Sequence, residues 1–265
     1  MFECIIDDRV VETEEGTTVL EAARRHGIPI PTLCTLKALG SNRSCRLCVV
    51  EAEGPSLAPA VLASCDLKAS AGLVIRTATP QLQKIRRTIL ELLLAGLPEN
   101  REVQEIARKY NVESTPFEHA GHDECVLCGI CITACRAKLG VSALSFAAQG
   151  DNERKVAGFV QLDGSACIGC GACANLCPIG AIGFSDAGDK REMSIYGRIV
   201  NTLDLVPCAS CGRPFTTGKV VDYLETCLEG KVPEVRRVYC PECARVNYAP
   251  ALIAEQQSRQ TGEKA

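Results

Sequence analysis

The sequence contains no tryptophan, and only five tyrosines, six phenylalanines, three histidines and two methionines among its 265 residues. With aromatics at 4%, the fold is expected to organise around something other than large rings. Three histidines leave little room for acid–base chemistry. Charge of one sign is also missing. The 29 lysines and arginines nearly balance 32 aspartates and glutamates, for a net charge of −3, so no basic excess points to nucleic acid. No run of about 20 uncharged apolar residues is present to span a membrane; the most apolar segment, Ile89 to Leu97, is short and contains Glu91. The opening Met1-Phe2-Glu3-Cys4 has neither the basic nor the apolar region of a secretory signal. Apolar residues at 46% and charged residues at 23% exclude a disordered chain.

What the chain has in excess is cysteine, 18 in all. A disulfide scaffold in a secreted protein and metal or iron–sulfur ligation in a reducing compartment are the competing explanations. The absence of a secretory signal favours ligation and makes the cytoplasm the expected location.

The cysteines fall into three sets and two strays. The most informative set holds two runs, Cys125-x2-Cys128-x2-Cys131-x3-Cys135 and Cys167-x2-Cys170-x2-Cys173-x3-Cys177-Pro178. This is the two-cluster ferredoxin pattern, in which the fourth cysteine of each run ligates the other run's cluster. The crossed assignment gives Cys125, Cys128, Cys131 and Cys177 to one [4Fe–4S] cluster, and Cys135, Cys167, Cys170 and Cys173 to the other. Small residues between the ligands (Gly129, Gly169, Gly171, Ala172) let the backbone approach. Arg136 stands where the pattern has a proline, a departure that leaves the ligand set intact. The stretch Gly169-Cys-Gly171-Ala-Cys-Ala174 nominally fits a dinucleotide motif, but no strand and amphipathic helix frame it, and it reads as coincidence.

The first set is Cys34-x10-Cys45-x2-Cys48-x16-Cys65. Before it, Phe2 to Ile6 and Val10 to Thr13 read as strands around a turn at Asp7-Asp8. Thr18-Val-Leu-Glu21 is a capping box opening a helix from Val19 to His26, which Gly27, Pro29 and Pro31 end. This is the β-grasp order of [2Fe–2S] ferredoxins, with x10 where plant-type ferredoxins have x4. A zinc site on a small sheet is the alternative.

The segment Gly16-Thr-Thr-Val-Leu-Glu-Ala-Ala-Arg-Arg-His-Gly-Ile-Pro-Ile-Pro-Thr-Leu-Cys34, with Ser44-Cys45-Arg-Leu-Cys48 and Ala63-Ser-Cys65, resembles the N-terminal domain of the complex I large iron–sulfur subunit. The diaphorase iron–sulfur subunit of bidirectional hydrogenases and the N-terminus of [FeFe]-hydrogenases are similar. The resemblance covers roughly residues 2 to 186 and implies a [2Fe–2S] cluster on Cys34, Cys45, Cys48 and Cys65. In that family, an amphipathic helix like Gln83 to Ala95 leads to a histidine and three cysteines binding a further [4Fe–4S] cluster. Here Leu97 stands at the histidine position, and no cysteine occurs between Cys65 and Cys125. That cluster is expected to be missing, so either the flanking domains pack closely or a partner supplies the stepping stone. The pattern places Ile85, Ile89, Leu92 and Leu93 on the helix's buried face, and Glu99 to Tyr110 fits a second helix. His119 and His122 precede Cys125 and read as loop residues rather than ligands.

The third set, Cys208-x2-Cys211-x28-Cys240-x2-Cys243, has two knuckles suited to tetrahedral zinc, with a further iron site as the alternative. Lys219 to Leu228 looks helical. A similar extension follows the ferredoxin domain in formate hydrogenlyase-type iron–sulfur subunits. Cys4 and Cys227 have no partner in any spacing and are expected to be buried small residues; Gln256 to Ala265 is expected to be a frayed tail.

The expected fold is α+β: a β-grasp [2Fe–2S] domain (1–78), a helical linker (79–118), a two-cluster bacterial-type ferredoxin domain (119–186), and a zinc-ribbon-like module with a polar tail (187–265). No hydrolytic or nucleotide-binding constellation is visible, so no catalytic residue is assigned. The parts describe an electron-transfer subunit of a multi-subunit oxidoreductase. The resemblance implies a flavin- and NAD(P)-binding diaphorase subunit and a hydrogenase- or formate dehydrogenase-like subunit as partners, with ferredoxin as an acceptor. The alternative is a redox sensor or assembly factor that binds a partner through its C-terminal module.

Overall fold

A computed structural model describes residues 1–118, 125–149, 156–228 and 238–247. The expected loop residues His119 and His122 and the tail from Gln256 lie outside them.

The N-terminal unit begins with strands β1 (Phe2–Ile6) and β2 (Arg9–Thr13), paired antiparallel around a turn in which Asp7 and Asp8 both take positive φ. Helix α1 (Val19–Arg25) follows. Its capping box forms as the sequence indicates, Thr18 accepting from the Glu21 N–H while the Glu21 carboxylate accepts from Thr18. The small hairpin β3 (Thr35–Leu36) and β4 (Gly40–Ser41) lies within the ten-residue gap between Cys34 and Cys45. Strands β5 (Val49–Gly54), β6 (Leu57–Ala63) and β7 (Val74–Arg76) complete a five-stranded sheet in the order β2-β1-β7-β5-β6. The β1–β7 pair is parallel, so the last strand returns beside the first at the centre of the sheet. Alternating residues Cys4, Ile6, Val11, Val50, Ala52 and Ile75 face α1 and form one core with Val19, Leu20, Ala22 and Ala23.

Helix α2 (Pro80–Gly96) starts from a Thr79 cap with proline at its first turn, and α3 (Arg101–Lys109) starts from Asn100. The buried face of α2 differs from the expected one. Leu82, Arg86, Leu90 and Leu94 point inward, Ile85, Ile89 and Leu93 are half-buried, and Leu92 is 52% exposed. The physical reason is Arg86, whose guanidinium is wholly committed to backbone carbonyls of the first unit and so turns the helix by one residue.

The cysteine-rich unit contains α4 (Ile130–Thr133), continued by a wider helical turn over Ala134–Lys138, then β8 (Leu144–Gln149), β9 (Val156–Leu162) and the short α5 (Ala172–Leu176). Strand β10 (Ile182–Ala187) crosses residue 186. It pairs with β11 (Lys190–Ile195), which pairs with β12 (Arg198–Pro207), which pairs with β13 (Pro214–Thr217). Met193, Ile195 and Leu203 pack against Cys131, Cys135 and Cys167, so the sheet that leaves the cysteine-rich unit also roofs it. Helix α6 (Gly218–Leu228) closes the described C-terminal part, where residues 241–247 are also helical.

Candidate metal centres

The eight cysteines of the paired runs separate into two quartets, each around its own cavity. One apolar space is lined by Cys135, Cys167, Cys170 and Cys173, with Leu144, Leu162 and Met193. A second is lined by Cys125, Cys128, Cys131 and Cys177, with Ile130, Ile179 and Tyr196. Each cavity thus takes three cysteines from one run and the last cysteine of the other.

The local chain explains the arrangement. Gly129 and Gly171, each at φ +73°, start α4 and α5 from the left-handed region, and Gly169 at φ +71° turns the second ligand loop. Amide N–H groups then reach sulfur: Leu127 to Cys125 (3.3 Å), Gly169 to Cys167 (3.4 Å), Ala143 to Cys135 (3.3 Å) and Ala181 to Cys177 (3.2 Å). Burial pushes the Cys128 thiol up to about 11, and those of Cys131 and Cys173 up to about 12. Neutral thiols in an apolar wall become thiolates when a cation binds them, so loading is coupled to proton release. The acceptor-rich sulfurs, the donors aimed at them and the apolar lining suit an iron–sulfur cube. A substitution follows from the glycines. A Cβ at Gly171 would lie 2.7 Å from the Phe184 ring and would sit at positive φ. Gly171→Ala is expected to cost about 2–3 kcal/mol and to shorten iron retention, as read by denaturation and by the loss of visible absorbance.

In the N-terminal unit the four predicted residues form two pairs. Cys34 and Cys45 sit together, the Cys45 N–H donating to Cys34 Sγ (3.5 Å), and their mutual interaction pushes the Cys34 thiol down and that of Cys45 up. Cys48, raised chiefly by burial, faces Cys65. The Leu33 N–H points at Cys45 Sγ (3.4 Å).

The ten-residue gap after Cys34 has a role its length did not reveal. Asn42 Nδ2 donates to the Cys128 carbonyl (2.9 Å), Ser44 donates to the same oxygen (3.4 Å), and Thr133 Oγ1 donates to Asn42 Oδ1 (2.8 Å). Cys34 and Cys128 share one apolar cluster with Ile130, Leu36 and Val126. The two units therefore touch through the loops that carry their cysteines. Leu97, in place of the family's histidine, is 6% exposed within a second apolar cluster joining Leu33 and Leu47 of the first unit to Ile179 and Ala181 of the other. Asn100 Nδ2 adds a bond to the Ile179 carbonyl (2.9 Å).

Cys208, Cys211, Cys240 and Cys243 bring their sulfurs within 4.8 Å of one another, the donor set of a closed tetrahedral site. Ser210 and Cys240 N–H groups point at Cys208 Sγ (3.4 and 3.3 Å), and Arg213, paired with Glu242, reaches Cys240 Sγ (3.6 Å). Of the strays, Cys4 is buried as expected, its Sγ 3.7 Å from the Val11 carbonyl. Cys227 is instead exposed on α6, a helix with no fully buried residue that leaves room for it at the surface. Sequence reasoning missed Arg191, which is 8% exposed, and Lys219. Their side chains grip the carbonyls of the second ligand loop, Arg191 at Gly169 (2.9 Å) and Lys219 at Ser165 (2.7 Å) and Cys167 (3.2 Å).

These arrangements define an iron–sulfur protein, and the comparisons agree. Residues 1–80 match the 2Fe-2S iron-sulfur cluster binding domain, and residues 160–183 match the 4Fe-4S binding domain. The chain is similar to an NADH-quinone oxidoreductase subunit of Rhizobium meliloti (strain 1021), with 33% identity across 69% of this chain and 24% of the relative. The NADP-reducing hydrogenase subunit HndD of Solidesulfovibrio fructosivorans is 32% identical across 69% of this chain and 36% of its own length. The chain thus spans between a quarter and about a third of these relatives. A crystal structure of NAD+-reducing [NiFe]-hydrogenase in the H2-reduced state holds a similar chain, with TM-score 0.57 and 29% identity, over 72% of this chain and 92% of that one. Among the described residues, no helix is long and apolar enough to cross a membrane.

Proposed function

We propose that this chain is an iron–sulfur electron-transfer subunit of a cytoplasmic NAD(P)-linked oxidoreductase complex. Its partners would be a flavin- and NAD(P)-binding diaphorase subunit and a hydrogenase- or formate dehydrogenase-like subunit, with ferredoxin a further acceptor. The observation that carries this reading is the pair of four-cysteine cavities, one of which, that of Cys128, is in direct contact with the N-terminal cysteine loop.

The assignment is one [2Fe–2S] cluster on Cys34, Cys45, Cys48 and Cys65, with Cys34 and Cys45 on one iron and Cys48 and Cys65 on the other. One [4Fe–4S] cluster falls to Cys125, Cys128, Cys131 and Cys177, and a second to Cys135, Cys167, Cys170 and Cys173. A structural Zn²⁺ falls to Cys208, Cys211, Cys240 and Cys243, whose four thiolates leave no open position. The β1–β7 sheet with α1 is read as a β-grasp domain, and the Cys208–Cys243 part as a zinc-ribbon-like module on a roof shared with the ferredoxin domain. Bound clusters supply one-electron carriage. The chain's own residues do the rest. Leu144, Leu162, Met193, Ile130 and Ile179 exclude water from the centres, the amide donors fix the sulfurs, and Asn42, Ser44 and Thr133 hold two ligand loops together. Leu97 and its neighbours make the linker an apolar strut, so close packing of the two units stands in for the absent histidine–cysteine cluster.

The test is an anaerobic count of iron, sulfide and zinc on the purified chain, with EPR of the reduced sample. About ten irons, ten sulfides and one zinc are expected. About fourteen irons without zinc would make the C-terminal quartet a further cluster.

A further inference from the structure

Arg86 is the one arginine of α2 that turns inward, and it is 3% exposed. Its Nε donates to the Leu47 carbonyl (3.0 Å), Nη2 to Val49 (2.6 Å) and Nη1 to Thr77 (2.7 Å). Leu47 and Val49 flank Cys48, so the guanidinium clasps the backbone on both sides of a cysteine that is itself 1% exposed. A buried guanidinium keeps its charge, and a buried charge without a counter-ion is strongly unfavourable. Yet Arg86 forms no ion pair with a carboxylate among the described residues. The titratable groups facing it are Tyr110, Cys48 and Asp7. Tyr110 is a phenol that burial keeps neutral. Asp7 is engaged by the Thr77 N–H (2.7 Å) and hydroxyl (2.5 Å). Hydrogen bonds do not cancel a carboxylate's charge, so Asp7 is one negative group facing Arg86, and Cys48, lying between two of the carbonyls the guanidinium holds, is the other.

We propose that Arg86 is the built-in counter-cation of the [2Fe–2S] centre on Cys34, Cys45, Cys48 and Cys65, and that it both positions the Cys48 loop and raises that centre's reduction potential. The inference rests on the cluster reading given above. Four thiolates around two irons carry net negative charge, and one added electron increases it. A fixed cation in a low-dielectric site stabilises the more negative state more strongly. Three carbonyls hold the guanidinium still, so its charge acts without reorganisation.

The test uses the full chain with its clusters, Arg86→Gln and Arg86→Lys, and potentiometric titration followed by EPR. Gln retains two N–H donors without the charge, whereas Lys retains charge and donors without the planar fork. The [2Fe–2S] midpoint is expected to move to more negative potential in Arg86→Gln and to stay near wild type in Arg86→Lys, with both [4Fe–4S] midpoints unmoved. A role in hydrogen bonding alone would move the two variants alike, and that result overturns the proposal. So does an unchanged midpoint in Arg86→Gln. If only the Lys variant retains the [2Fe–2S] signal, the charge is required and the proposal stands. If neither retains it while the [4Fe–4S] signals persist, the fork geometry is what matters and the charge role is overturned. A wild-type chain without any [2Fe–2S] signal would instead overturn the cluster reading itself.

Discussion

Cys135→Ala is expected to empty the cavity of the other cysteine run. Cys135 lines the same space as Cys167, Cys170 and Cys173, about 30 residues further along the chain, and not that of its own neighbours Cys128 and Cys131. Iron should fall by about four atoms per chain, and one [4Fe–4S] EPR signal should vanish while the other and the [2Fe–2S] signal persist. Stability should fall with it. A cluster that joins Cys135 to Cys167–Cys173 closes a loop of this size as a covalent cross-link would, which is worth about 3–4 kcal/mol. The Cys135 sulfur also accepts the Ala143 N–H (3.3 Å), which anchors the start of β8. A denaturation midpoint that does not move, or loss of the centre lined by Cys125, Cys128, Cys131 and Cys177 in its place, would show that ligands are not exchanged between the runs.

The grouping of the cysteines around two spaces was legible because cysteine spacing is a local constraint, repeated once along the chain, and the same holds for the Thr18–Glu21 capping box. The contacts between units were not legible. The bonds of Asn42 to Cys128 and Thr133 join residues 86 and 91 positions apart, and nothing in a ten-residue gap announces a docking loop. The register of α2 failed for a different reason. Periodicity counts arginine as a surface residue, and nothing in the helix's own sequence announces the carbonyls of Leu47, Val49 and Thr77 that draw this one inward. A helix is steered here by one charged residue rather than by its apolar stripe. The extent of β10 was hidden likewise. A strand past Cys177 reads as the end of a ferredoxin unit until β11 is seen to pair onto it, β12 onto β11 and β13 onto β12.

Arg191→Met is expected to loosen the second ligand loop more than any other change outside the cysteines of that unit. Arg191 of β11 forks onto Asp186 of β10 (2.7 and 2.8 Å), donates to the Gly169 carbonyl (2.9 Å) and to the Phe215 carbonyl of β13 (3.2 Å), and lies 4.8 Å from the Phe184 ring centroid. Gly169 immediately precedes Cys170, an exposed cysteine on the solvent side of its cavity. Methionine fills the volume but leaves two carbonyls without donors and a carboxylate without a partner, a loss of about 3 kcal/mol. Asp186→Asn removes only the charge, on a side chain still 35% exposed, and should cost about 1 kcal/mol. The pair also gives a pH signature. Arg191 holds the Asp186 carboxyl below its ordinary range, mainly through their hydrogen bonds. Its contribution is therefore complete above the unfolded carboxyl pKa and is lost as pH falls through the lowered folded one. Acid denaturation of Asp186→Asn should consequently lack part of the wild-type slope in that window. Iron release to a chelator at neutral pH should run faster in Arg191→Met than in Asp186→Asn, because the arginine, not the carboxylate, touches the loop. Equal release rates would mean that the sheet alone holds the loop and that the guanidinium only decorates it.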